Sequence, residues 1–168
     1  MQPDDTGLIQ ILSANPMQYV IPRFQRDYTW GKNKGLPQVN QLWKDIIDAH
    51  DNQCPHFTGT IVFTNDNCGN DVCNCKYLID GQQRLITTSL MIRAFYNHLD
   101  VKQKKEVIQT YLNNVVESIY GYKLKILPGE NDRKAYKAII TSKSNIDEKY
   151  LETPVGKTYS FFDKVVYP

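Results

Sequence analysis

The feature that most constrains this chain is the run from Lys76 to Leu99. It opens on Lys76-Tyr77-Leu78-Ile79, breaks at Asp80-Gly81, and passes through Gln82-Gln83-Arg84 into a long segment. There Leu85, Thr88, Leu90, Met91, Phe95 and Leu99 are apolar or small. The first part predicts a short strand, and the last a long, largely buried helix over about 82–99, with a glycine turn between them. The chain has 168 residues, and a domain of about 150 residues buries on the order of 70% of its unfolded surface. A core large enough to enclose such a helix is therefore available without disulfides or metals.

The other elements follow from pattern. Leu8, Ile9, Ile11 and Leu12 suit one or two helical turns, which Asn15-Pro16 ends. Gln18–Ile21 reads as a strand, and Pro22 forces an extended or turning chain after it. Val39, Leu42, Trp43, Ile46 and Ile47 repeat at helical spacing over about 38–50. His56–Thr64 is β-branched and aromatic and predicts a strand. The pattern of Val107, Ile108, Tyr111, Leu112, Val115 and Val116 predicts a helix over Lys102–Ser118. Tyr122–Leu127 alternates as a strand, with Lys123 and Lys125 on the face opposite Tyr122, Leu124 and Ile126. Asn131 or Asp132 is placed to cap a helix over about 132–141, a polar segment covers 142–157, and a last helix runs over about 158–166. Strands in the first half and helices in the second indicate α+β.

Charge excludes little. The net charge is +2, far from the excess of a dedicated nucleic-acid binder. Residues 1–84 carry seven basic and nine acidic groups, and residues 85–168 thirteen and nine. No apolar run approaches the roughly 18 residues of a membrane span, and the N-terminus has acids where a secretory signal needs basic residues. The expected location is cytoplasmic, with no membrane contact. Cys54, Cys68, Cys73 and Cys75 lie close together, but their spacing is not that of two zinc knuckles. A metal site would need Cys54 or His56 as the fourth ligand; the plainer reading is a surface loop of reduced thiols over 65–75. The chain stops at Val165-Val166-Tyr167-Pro168 in apolar sequence, which suggests a chain cut from a longer protein.

Two clusters carry chemistry. In Ile79–Arg84 a strand ends in Asp80, Gly81 permits a tight turn, and Gln82 opens a helix. The first-turn N–H groups of a helix lack intrahelical partners and carry the positive end of its dipole, which makes a ready anion site. Arg84 adds a planar donor fork for phosphate oxygens. Asp80 is suited to hold Mg²⁺ through water or to orient a nucleophilic water. The same residues would equally serve as an ordinary capped helix start. The second cluster, Ile21–Trp30, crowds Arg23, Gln25, Arg26 and Asp27 between apolar ends. Its two readings are a surface turn with an Arg–Asp27 pair, or a second wall of an anion pocket in which Tyr28 and Trp30 stack on a base.

The two clusters, in this order and about 55 residues apart, resemble the DUF262 family, the N-terminal domain of Gmr-type modification-dependent restriction endonucleases. The family pattern IPxxQRxYxW stands here as IPRFQRDYTW (21–30), its glycine-containing strand as HFTGTIVF (56–63), and its DGQQR motif as LIDGQQRLITTSL (78–90). Segments 124–140 and 159–166 resemble later parts of the family, so the likeness covers nearly the whole chain. Ile86-Thr87-Thr88 departs from the family's Thr-Thr-Leu, and the Cys-rich loop is no family feature.

The resemblance implies a ParB/sulfiredoxin-like fold with a small mixed sheet in the first half and a helical second half. It implies a core over residues 1–100 and a mainly helical continuation over 101–168. It also implies a nucleoside-triphosphatase that gates a nuclease, usually a C-terminal His-Me finger domain. His50, His56 and His98 form no such nuclease motif. Carried over, Asp80, Gln83 and Arg84 are the catalytic residues, and Gly81, Gln82, Gln25, Arg26 and Tyr28 bind the nucleoside triphosphate. Mg²⁺ goes to Asp80. DNA is the expected partner of the full-length protein. The competing reading is a DNA-binding or DNA-sensing module without hydrolysis, carried by Lys102, Lys104, Lys105, Lys123, Lys125, Arg133, Lys134 and Lys137. A metal nuclease built on Asp80, with Asp27 joining it, is thin because it offers so few carboxylates.

Overall fold

A computed structural model describes residues 7–64, 73–142 and 145–166. Helix α1 (Leu8–Ser13) leads into strand β1 (Met17–Val20), and helix α2 (Pro37–Asp51) into strands β2 (Val62–Phe63) and β3 (Asn74–Asp80). Then come helices α3 (Gln82–Tyr96) and α4 (Val101–Val107), strand β4 (Ile126–Leu127), and helices α5 (Glu130–Thr141), α6 (Glu148–Leu151) and α7 (Pro154–Val166). The sheet is mixed, in the order β2-β3-β1-β4. β1 lies parallel to β3 and β4, and β2 antiparallel to β3. The protein is thus α+β, with one short strand, β4, contributed by the second half. Among the described residues no helix is long and apolar enough to cross a membrane.

Helix α3 is the centre of the packing. Eleven of its fifteen residues are buried, so it is enclosed rather than laid on a surface. One apolar core joins Tyr19, Leu78 and Ile126 of the sheet to Leu85, Ile86 and Leu90 of α3, and on to Tyr136, Ile139 and Phe162 of α5 and α7. Several of the polar side chains inside this core are paired. Tyr28 is 1% exposed, and its hydroxyl lies between Thr87 of α3 (2.6 Å) and Thr158 of α7 (3.1 Å). Tyr136 donates to Ser89 at 2.8 Å. The buried Arg93 donates to the carbonyls of Ile139 and Ser142 at 2.9 and 3.0 Å. It thereby satisfies carbonyls at the C-terminal end of α5, where a cation also complements the helix dipole.

Several sequence expectations are corrected. His56–Thr64 is strand only at Val62–Phe63, because Arg84 takes the carbonyls of Thr58 (3.2 Å) and Thr60 (2.9 Å) that a longer ladder would need. The helix expected over Lys102–Ser118 ends at Leu112, its last turn being a π-helical one over Ile108–Leu112. Beyond it the side chains turn to β1. Asn114 exchanges hydrogen bonds with the backbone of Met17 (3.1 and 2.9 Å), and Ser118 donates to Gln18 at 2.6 Å. Helix α7 begins at Pro154 rather than 158, with Thr153 accepting from the Gly156 amide at 3.1 Å. Neither Asn131 nor Asp132 caps α5, which starts at Glu130. Cys73 and Cys75 are buried rather than in a surface loop, and Cys75 packs with Val20 and Leu127. Cys54 is exposed, and Cys68 lies outside the described residues.

Lys125, which the alternation puts opposite Tyr122, Leu124 and Ile126 and the DNA-contacting reading counts among its cations, is fully buried. Its ammonium donates to the Ala14 carbonyl and the Asn15 side chain. Burial lowers its pKa to about 8, a shift that the nearby Cys73 opposes. A cation with a depressed folded pKa loses its proton earlier in the folded than in the unfolded chain. Folding then gains stability as pH rises from about 8 towards the ordinary lysine value of about 10.4. The stability of the wild type relative to Lys125→Met, measured by urea unfolding, should be flat from pH 6 to 7. It should then rise between pH 8 and 10, by at most about 1.4 kcal/mol per pH unit. A difference that stays constant up to pH 10 would show that Lys125 keeps its ordinary pKa.

Candidate functional site

The turn from β3 into α3 is built by Gly81, whose φ of 90° is one that side-chain-bearing residues rarely adopt. A Cβ there would also lie 2.8 Å from Ile61. No side chain caps α3, so its first-turn amides have no partner within the helix. Asp80 stands just before them, with its side chain 67% exposed.

The segment 22–30 is fastened to this turn by side chains reaching backbone. Gln25 donates from Nε2 to the carbonyl of Ile79 at 2.8 Å. Gln82 donates from Nε2 to the carbonyl of Arg26 at 2.9 Å. Gln83 donates to the carbonyl of Asp27 at 3.1 Å, and its Oε1 accepts from the Thr29 and Trp30 amides at 2.8 and 3.4 Å. Both glutamines of α3 are buried, so each bond replaces one that water would otherwise supply. Helix α5 grips the same segment from another side. Glu130 pairs with Arg23 at 2.8 Å, Asn131 donates to Asp27 at 3.2 and 3.1 Å, and Asp132 accepts from the Tyr28 amide at 2.6 Å. Burial pushes the Asp132 carboxyl up, the Tyr28 amide pulls it down, and Asp27 pushes it up again.

The expected site residues fall into two groups. Asp80, Gly81, Arg84, Gln25 and Arg26 surround the start of α3. Arg26 is exposed, and no hydrogen bond or ion pair among the described residues holds its guanidinium. Arg84 is fixed by the carbonyls of Thr58 and Thr60, with Asp80 3.9 Å away. Gly59 makes that possible, because a Cβ there would sit 2.1 Å from Nη1. Gln82 and Gln83 belong to the second group: they hold the two segments together with their amides. Tyr28 is sealed in the core, and burial raises its hydroxyl pKa to about 12. Its ring therefore cannot stack on a base. The Arg–Asp27 pair gives way to Arg23–Glu130 and Asn131–Asp27, so Asp27 faces α5. What the sequence reading missed was the role of Glu130, Asn131 and Asp132. Their acidic and amide character at a helix start was visible, but not that they would grip residues 23–28.

The cations of the second half divide similarly. Lys125 is internal, whereas Arg133, Lys134 and Lys137 line a cavity of about 350 Å³ with Tyr122 and Glu130. A groove of about 730 Å³ lies elsewhere, between the start of α2 and helices α6 and α7, over Leu36, Leu151 and Phe161. Among the described residues no group of three or more His, Cys, Asp or Glu is placed to hold a metal.

Gln83→Leu keeps an apolar side chain in place but orphans the Asp27 carbonyl and the Thr29 amide. At roughly 1–3 kcal/mol for each unsatisfied buried group, the variant should lose about 2–4 kcal/mol, seen as a lower urea midpoint at unchanged slope. A loss below about 0.5 kcal/mol would show that the clamp does not hold the segment.

A family model for the GmrSD restriction endonuclease N-terminal domain matches residues 8–166, nearly the whole chain. No curated protein matches it. With the paired segments in place and the match running from α1 to the end of α7, the chain belongs to the family of N-terminal domains of GmrSD restriction endonucleases.

Proposed function

We propose that this domain binds a nucleoside triphosphate at the start of α3 and hydrolyses it, and that this regulates the nuclease of its restriction system, a C-terminal His-Me finger domain or subunit. The observation that carries the reading is the junction itself. Gln25, Gln82 and Gln83 fasten the backbone at Arg26 and Asp27 to the end of β3 and the start of α3, next to Asp80, at a helix N-terminus whose amides are unsatisfied within the helix. That is a donor-rich, cationic place with one exposed carboxylate, the composition a triphosphate requires.

Each residue has a role that its surroundings allow. The first-turn amides of α3 donate to phosphate oxygens. Arg84, preorganised by two backbone carbonyls, and Arg26, free to swing, neutralise phosphate charge and its growth during transfer. Asp80 is open enough to orient an attacking water or to hold Mg²⁺. One carboxylate suits that ion, which commonly takes its remaining ligands from phosphates and water; when bound it would neutralise phosphate charge. Gln82 and Gln83 act through the segment they fix.

One observation favours a second reading, a DNA-contacting module without hydrolysis: the Arg133, Lys134 and Lys137 cluster around Tyr122. Duplex binding that needs no nucleotide and weakens steeply with salt would mark it.

Arg26→Ala tests the first reading cleanly, because among the described residues the side chain holds no other group. Thermal shift with ATP, GTP, CTP and UTP, each with Mg²⁺, should show stabilisation by at least one. At 100 times the dissociation constant it amounts to about 2.7 kcal/mol. The variant should melt at the wild-type temperature without ligand, bind at least tenfold more weakly, and release less phosphate. No shift with any triphosphate, or an undiminished shift in Arg26→Ala, would contradict the assignment.

A further inference from the structure

We infer that Phe24 is the platform on which the base of the bound nucleotide stacks. This inference rests on the nucleotide reading above and gives that site its base-recognising part. Phe24 is 79% exposed, as is Phe57; what sets Phe24 apart is its place next to Gln25, which bonds to Ile79 just ahead of the α3 turn. It is not loose. Residues 22–25 form a tight turn, closed by the Gln25 amide donating to the Pro22 carbonyl at 3.0 Å. Both neighbours of Phe24 are anchored: Arg23 to Glu130 at 2.8 Å, and Gln25 to the Ile79 carbonyl at 2.8 Å. The ring is therefore presented to solvent from a turn held on both sides, two residues from Arg26, with the adjacent Gln25 bonded to the end of β3.

Ile79, next to Asp80 and bonded through its carbonyl to Gln25, is itself 39% exposed, so apolar surface lies at the edge of the charged site. Tyr28 is inside the core, and Trp30 is packed against it. Phe24 is then the aromatic of this segment with a face open to a ligand. Stacking on an aromatic ring tolerates any base, because every base has a π-face. The site so built recognises a nucleotide in two parts: phosphates at the α3 amides and arginines, and the base on Phe24.

The test separates the two parts with two probes, inorganic tripolyphosphate and the nucleoside triphosphate that stabilises the wild type most, each with Mg²⁺, by calorimetry. The wild type should bind the nucleotide more tightly than tripolyphosphate. Phe24→Ala should weaken the nucleotide about fivefold or more, the lower end of what an aromatic–base stack contributes, and leave tripolyphosphate unchanged. Phe24→Leu, which keeps apolar bulk but no ring, should behave like Phe24→Ala, and Phe24→Trp should restore binding. Equal effects on both probes, no effect on either, or full binding by Phe24→Leu would overturn the platform and leave the phosphate site standing. A wild type that binds neither probe would overturn the nucleotide reading and the platform with it.

Discussion

The structure depends on two adjacent glutamine amides. Gln82 and Gln83 open a helix that is buried almost all round, and spend their side chains on the backbone of a segment more than fifty residues earlier. An amide is the group for this task, since it offers donors and an acceptor without the cost of burying a charge. Gln83 uses both ends: Nε2 on the Asp27 carbonyl, Oε1 on the amides of Thr29 and Trp30. The segment so held contributes nothing to the sheet, and without the clamp its backbone groups would have to find water in a buried place. The same bonds also hold the backbone of Arg26 against the start of α3.

The second constraint is the enclosure of α3. Because α5 and α7 pack on it together with the sheet, anything at its N-terminus is held by the whole core. Tyr28 makes the link physical, with its hydroxyl between Thr87 of α3 and Thr158 of α7 and its amide on Asp132 of α5. A ligand at the start of α3 would therefore touch the one point where the sheet, the early segment and three helices meet.

What could be read in the sequence was what local pattern decides. The helical spacing of Val39, Leu42 and Trp43 and the strand–glycine–helix order around Gly81 depend on neighbours in the chain, and both stand in the structure. What could not be read depends on distant partners. The β-branched stretch 56–64 has the composition of a strand, but Arg84 claims its carbonyls. Lys125 alternates like an exposed residue, yet finds acceptors at Ala14 and Asn15. The site was legible as a pair of segments, whereas the division of labour inside it was not. Nothing in the order DGQQR says that Gln82 and Gln83 face Arg26 and Asp27, and nothing in RFQRDY says that Tyr28 turns inward while Phe24 stays out.

The most direct measurement is an amide-resolved NMR titration with a magnesium-bound nucleoside triphosphate. The predicted result is that the largest shifts fall on Gly81, Gln82, Gln83 and Arg84, with smaller ones along residues 24–27, because the phosphates take up the first-turn amides of α3. Shifts confined to α5 around Arg133, Lys134 and Lys137, with the start of α3 unmoved, would contradict the central claim and place anion binding on the basic face instead.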